Sequence, residues 1–309
     1  MTMSKQKERM LHIRKKQQQS QSRWLIVAGI GLILIAGLWF VFSNQESANL
    51  EAQPISKLST ADFHSLAFSP TEPETVFFGH HGGLLVSRNG GKNWEPTTLS
   101  DADAMALAVP PSDPQIMYAA GHDIFFKSTD GGKTWESVST NLPGTDIHGF
   151  TVDPENANHV YAHVVGFGIF GSEDGGSNWT QLSDVVPNTT FNLAVGENSQ
   201  TLYAAAGEAG LLHSTDGGRT WKDVSKAPGE VAIAVTYVRE NNRLYVTSLV
   251  SEVGLYFSED GGQTWSSANL NGTLLAVAVS PLDPDHILAV NDQGEVFASR
   301  NGGLTWSDK

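Results

Sequence analysis

From residue 54 to the C-terminus, short apolar runs alternate with polar turns, and no stretch carries the 3.6-residue period of a helix. One class of run is rich in alanine and valine: Leu66-Ala-Phe, Leu107-Ala-Val, Phe150-Thr-Val, Leu193-Ala-Val, Ile233-Ala-Val and Val277-Ala-Val. A turn of Pro, Asp and Asn follows each, and then a second run such as Thr75-Val-Phe-Phe, Ile116-Met-Tyr-Ala or Arg243-Leu-Tyr-Val. A third run, as in Ile124-Phe-Phe-Lys-Ser or Gly254-Leu-Tyr-Phe-Ser, leads into a glycine turn. Alternation bounded by turn residues predicts β-strands throughout.

The glycine turn is an octet, Ser-x-(Asp/Asn)-Gly-Gly-x-(Thr/Asn)-Trp, and it occurs six times, starting at Ser87, Ser128, Ser172, Ser214, Ser258 and Ser299. Successive copies are 41, 44, 42, 44 and 41 residues apart. The acid or amide (Asn89, Asp130, Asp174, Asp216, Asp260, Asn301) can accept backbone N–H groups, and the glycines allow positive φ. The closing tryptophan (Trp94, Trp135, Trp179, Trp221, Trp265, Trp306) is predicted to wedge into the core as the fourth strand begins. Four strands per unit of roughly 42 residues is the period of a propeller blade. The sequence therefore predicts an all-β, six-bladed β-propeller with four-stranded blades over residues 54–309.

The sixth octet lies almost at the C-terminus, whereas Pro54-Ile-Ser-Lys-Leu58 precedes the first unit where a fourth strand would stand. This segment is expected to complete the last blade by pairing with a short strand at Trp306, so that no sheet edge remains open.

The octets resemble Asp-boxes, or BNR repeats, which occur in sialidases, sortilin-type receptors, Ycf48/Hcf136-like assembly factors and several glycoside hydrolases. An anchored single propeller of this size is also similar to bacterial membrane proteins described as BNR-repeat or glycosylhydrolase-family proteins. The resemblance implies that the octet face is structural and that ligands meet the opposite mouth.

Charge adds a second domain boundary. Residues 1–23 carry seven basic side chains against Glu8, a net of +6, which leaves −20 on the remainder. So acidic a body offers no continuous surface for phosphates, which excludes nucleic acid as a partner. After the basic tail, Trp24 to Phe42 is 19 residues without a charge. As a helix it would be about 29 Å long, matching a hydrocarbon core of about 30 Å. The expectation is a basic cytoplasmic tail (1–23), an uncleaved transmembrane signal-anchor helix (24–42), a polar tether (43–53) and an extracytoplasmic propeller. The competing reading, a cleaved signal peptide, has a shorter apolar region of about 7–15 residues. With no cysteine, the chain has no disulfide, no thiolate ligand and no lipoprotein anchor.

The predicted mouth collects Asp62, His64, His80, His81, Asp101, Asp103, His122, Asp123, Asp146 and His148 from units one to three. Units four to six add Asn188, Glu208, Glu230, Glu252 and Asp292. No cofactor is predicted. Imidazole and carboxylate together make a divalent metal a candidate, although solvated loop residues explain the same composition and no metal ligand set follows from sequence. The resembled sialidases need an arginine triad, and the five arginines beyond the anchor lie in octets or in the turn Arg239–Arg243 on the octet face. A sialidase is thereby excluded. Another glycosidase needs only two carboxylates about 5–9.5 Å apart, for which Asp101, Asp103, Asp146, Glu208 and Glu252 are candidates.

The sequence favours a membrane-anchored binding or assembly module for glycan or protein ligands, with a cell-surface glycoside hydrolase as the alternative. Gly166-Phe-Gly-Ile-Phe-Gly171 reads as hairpin and not as a nucleotide loop, and the three Asn-x-Thr triplets at Asn178, Asn188 and Asn271 read as coincidence.

Overall fold

The structure, a computed structural model, describes residues 52–306 except 225–226 and 229–230. The proposed tail, membrane segment and nearly all of the tether lie outside the described residues. Among the described residues no helix is long and apolar enough to cross a membrane.

The described chain forms six four-stranded antiparallel sheets, five of them built in sequence order from one repeat and the sixth completed by a strand from before the first. These are the six blades of a β-propeller. The inner strands are Ser65–Phe68, Ala106–Ala108, Ile147–Asp153, Asn192–Val195, Ala232–Val238 and Leu274–Val279. Each packs beside the next, and the sixth packs against the first, so the ring closes.

Closure has the predicted origin but not the predicted partner. Ser56–Lys57 is the fourth strand of blade six, with Ser56 opposite Val296 and Lys57 opposite Glu295. It pairs with the third strand, Glu295–Ser299, and no strand forms at Trp306. An outer strand can pair only with the blade's third strand, which is why the expected partner was one strand too late.

The core lies between blades. Each of the six seams holds an apolar cluster with residues from both flanking sheets, for example Phe125 with Phe150 and Val160 between blades two and three. Tyr118, Tyr161, Tyr203 and Tyr245, at equivalent places in the second strands, are among the largest fully buried side chains. Tyr118 and Tyr161 donate their hydroxyls across the seam to the carbonyls of Ala157 and Ser199, both at 2.8 Å. Burial pushes both phenols up to about 12.

Register corrects one detail of the sequence reading. A bulge between Ala232 and Val235 places Val235, not Ile233, level with Leu193 of the preceding blade. Ile233 therefore stands at the mouth.

The octets are closed by their own hydrogen bonds. In the second copy the Ser128 hydroxyl donates to Asp130 Oδ1 at 2.8 Å and accepts from Gly132 N–H at 2.9 Å. Asp130 also accepts the backbone N–H groups of Lys133 and Thr134, three and four residues on, and the Thr134 hydroxyl. Gly131 and Gly132 have φ of 74° and 82°, conformations open to glycine at no steric cost. Asn89 and Asn301 accept the equivalent backbone N–H from Asn93 and Thr305 at 2.9 Å. The tryptophans are less uniform than expected. Trp179 and Trp306 are buried, whereas Trp94, Trp135, Trp221 and Trp265 are half-buried.

Candidate functional site

Antiparallel blades send the turns between strands one and two and between strands three and four to the same face. The octets and the Pro/Asp turns therefore share one face, and the other two sets of connections form the mouth.

Six equivalent residues surround the axial channel where the inner strands begin: His64, Met105, His148, Phe191, Ile233 and Leu275. They line a cavity of about 400 Å³ together with Asp62, Phe63 and Asp292. Deeper in, alanine, leucine and valine side chains of all six inner strands narrow the channel to a space of about 220 Å³, which runs towards Pro111, Pro154 and Pro281.

Two residues before each ring position stands Asp62, Asp103 or Asp146 in blades one to three, and Thr189, Val231 or Thr273 in blades four to six. The mouth is thus two-sided, with imidazole and carboxylate on one half and Phe191, Ile233 and Leu275 on the other. Sequence inspection found the polar half through its histidines. It did not single out the apolar half, because apolar residues at strand starts look like core.

The polar half is continuous. His81 Nδ1 lies 2.8 Å from Asp62 Oδ2, and its Nε2 lies 3.0 Å from His64 Nε2 and 3.5 Å from Asp103 Oδ1. His122 Nδ1 bonds Asp103 Oδ2, and its Nε2 is 3.2 Å from both Asp146 Oδ1 and His148 Nε2. The backbone sets these positions. His122 forms an antiparallel bridge with Asp146, and Val165 N–H donates to the Asp146 carbonyl at 2.9 Å. A methyl group on Gly121 would lie 1.7 Å from the Asp103 carbonyl oxygen, so only glycine permits this approach. Burial, the largest influence, lowers the pKa of both His64 and His148, which favours neutral imidazoles. His163, fully buried opposite Gly149, is lowered to about 4 for the same reason.

Other predicted mouth residues stand apart from this arc. His80 stacks on Phe78, and its Nδ1 accepts Gly82 N–H at 3.1 Å, a local turn contact. Asp101 and Asp123 adopt φ of 53° and 57°, the left-handed region that aspartate tolerates better than most residues, and the Asp123 carboxylate accepts the Thr145 hydroxyl at 2.5 Å. Asn188 accepts the N–H of Gly166 at 3.0 Å across a seam. Glu208 and Glu252 are exposed in separate blades, and Glu230 lies outside the described residues. Three groups of His and Asp have donor atoms within 4.8 Å of one another: Asp62/His64/His81, His81/Asp103/His122 and His122/Asp146/His148.

Arg239 pairs with Asp153 and Glu155, and Arg243 with Glu259, away from the mouth.

The fold has known counterparts. Residues 123–247 match the family model "Sortilin, neurotensin receptor 3", and residues 256–267 match the BNR/Asp-box repeat. No curated protein matches the chain. A GH74 enzyme of Niastella koreensis superposes with a TM-score of 0.62 at 20% identity, over 83% of this chain and 46% of the enzyme. The chain thus spans about half the length of the GH74 enzymes it matches. YCF48 bound to D1 peptide superposes with a TM-score of 0.55 at 20% identity, over 83% and 84% of the two chains. A nidogen/laminin complex matches at 0.54 and 14% identity, over 66% of this chain and 78% of that one. At such identities the likeness is one of fold. By its six octets, their internal hydrogen bonds and these matches, the chain resembles the Asp-box, or BNR-repeat, β-propellers.

Proposed function

We propose that this chain is a ligand-binding or assembly propeller held outside the cytoplasmic membrane by residues 24–42, and that it takes a protein or glycan ligand at the two-sided mouth. The observation that carries this reading is the state of the mouth carboxylates. Asp62 and Asp103 are each paired with a histidine, Asp146 lies against His122 and His148, and the other acidic candidates are turn formers or stand exposed in other blades. A glycosidase needs two carboxyl groups poised on either side of one bond. A surface with imidazole and carboxylate on one side and Phe191, Ile233 and Leu275 on the other suits a polypeptide segment carrying both an apolar and a polar anchor. Propellers of the same fold solved with a D1 peptide and with laminin support a protein ligand.

The test is capture of ligands by the full chain from peptide and glycan arrays. Binding is expected to fall at least tenfold in Phe191→Ala and to persist in Asp101→Asn. Turnover of a polysaccharide, lost in Asp103→Asn or Asp146→Asn, would instead establish the second reading, a cell-surface glycoside hydrolase. The GH74 superposition is the observation in favour of that reading.

A further inference from the structure

We infer that the seam between blades two and three is a binding site for one divalent transition-metal ion of the zinc class, held by His122 Nε2, His148 Nε2 and Asp146 Oδ1. The three atoms form a nearly equilateral triangle with sides of 3.2, 3.2 and 2.9 Å. Ligands about 2.0–2.1 Å from a tetrahedral zinc ion stand about 3.3 Å apart, so these atoms occupy one face of such a tetrahedron.

Three further features fit an ion. First, His122 Nδ1 is bonded to Asp103, which leaves the Nε2 lone pair aimed at the triangle. A carboxylate behind a ligating imidazole is the usual outer partner of a metal-bound histidine. Second, Asp146 Oδ1 is buried without a hydrogen bond, although two imidazole nitrogens stand within 3.2 Å of it. A cation at the centre would satisfy all three atoms. Third, the backbone bridge between His122 and Asp146 presets the triangle across two blades, so little ordering remains for the ion to impose.

The neighbouring group at Asp62, His64 and His81 is less complete. His64 Nε2 lies 3.5 Å from Asp62 Oδ1, and the His81 nitrogen nearest to Asp62 is Nδ1. The position that would complete a second triangle in blade two is Met105, which has no imidazole. One tight ion per chain follows. His122 and Asp146 are about half exposed and His148 lines the mouth cavity, so the fourth coordination position is open at the mouth. There it can take water or an anionic group of a bound ligand. This site stands independently of whether the mouth binds protein or glycan.

Cobalt(II) replaces zinc in such sites and reports on them by visible absorption. The full chain in mild detergent, titrated with Co²⁺, is expected to develop tetrahedral bands that saturate at one equivalent and vanish on addition of Zn²⁺. His148→Ala and the nearly isosteric Asp146→Asn should each lower Co²⁺ affinity at least 100-fold. Asp103→Asn should lower it roughly 10- to 100-fold through the loss of support behind His122. His64→Ala should leave the spectrum intact. Unchanged circular dichroism shows that each variant is folded. The absence of tetrahedral bands in the parent chain overturns the inference, as does a spectrum that survives Asp146→Asn in folded protein. Loss of the spectrum in His64→Ala but not in His148→Ala would overturn it too.

Discussion

Arg300 of the last octet and Glu74 of the first blade are 226 positions apart in sequence, yet Arg300 Nη2 lies 2.9 Å from both carboxylate oxygens of Glu74. This pair bridges the seam where the ring closes. The hydrogen bond from Arg300 is the main reason that the Glu74 carboxyl is held below its usual pKa. Both side chains are about two-fifths exposed, so solvent screens the pair. Arg300→Gln is expected to cost less than about 1 kcal/mol, and less again at high salt. Urea melts at two salt concentrations measure this, and a salt-independent loss above about 2 kcal/mol would make closure chiefly electrostatic.

Closure rests instead on the segment at residues 54–58. Its removal takes away the pairing of Ser56 with Val296, the buried Leu58 side chain and the Ser56 hydroxyl that accepts Trp94 Nε1–H at 3.3 Å. Deleting 54–58 should lower the melting temperature of the whole propeller in one cooperative transition, because the exposed edge belongs to a ring and not to a fraying end. Calorimetry decides: a deletion variant that melts like the parent removes this strand from the closure.

The tryptophans should divide by burial and not by their common motif. Trp179→Ala is expected to cost about 3–5 kcal/mol, the usual range for a large core side chain. Trp135, half-buried and donating Nε1–H to Gly132 O at 3.2 Å, should cost about half as much. Equal losses for the two in chemical denaturation would contradict the packing described above.

The octets also predict an acid transition. Asp130, Asp174, Asp216 and Asp260 are each lowered from 3.8 to about 2, chiefly by the side chain of Thr134, Asn178, Thr220 or Thr264 hydrogen-bonding to the carboxylate. Because the folded pKa is the lower one, the stabilisation is fully present above about 4 and is lost as pH falls towards 2. Asparagine already fills this place in blades one and six. Changing all four aspartates to asparagine should therefore flatten the loss of stability between pH 4 and 2. An acid melting profile identical to that of the parent would show that other groups control it.

Asp101 offers a test of turn against site. With φ at 53°, Asp101→Gly should be neutral, whereas Asp101→Ala should cost roughly 1 kcal/mol. Neither variant should alter ligand capture. A large loss of binding in the folded glycine variant would return Asp101 to the site.

Blade number, octet hairpins and the N-terminal origin of the closing strand were legible in the chain because each follows from a local rule repeated in phase. A Ser-x-Asp-Gly-Gly turn makes its hydrogen bonds within seven residues, and alternating apolar runs need only a partner strand. What stayed hidden depends on register. The bulge at Ala232–Val235 sets Ile233 at the mouth end of its strand, and nothing in Ile233-Ala-Val announces it. Burial of Trp179 but not Trp135 is likewise decided by what the adjacent blade places beside each ring.

The sequence by itself determined which residues could meet at the mouth, since strand polarity sends every second connection to the same face. Only the tertiary structure decided which of them do. His122 and Asp146 are 24 positions apart and belong to different blades, yet a backbone bridge joins them, and His148 closes a triangle of about 3 Å. His80 and Asp123 are each adjacent in sequence to a member of the arc, yet His80 turns back onto its own hairpin and the Asp123 carboxylate is taken by the Thr145 hydroxyl. The physical reason is that side chains on successive residues of a strand or tight turn point in different directions, so proximity in the chain does not carry over to proximity at the mouth. Convergence comes from the rotation of one blade against the next, which is a property of the closed ring.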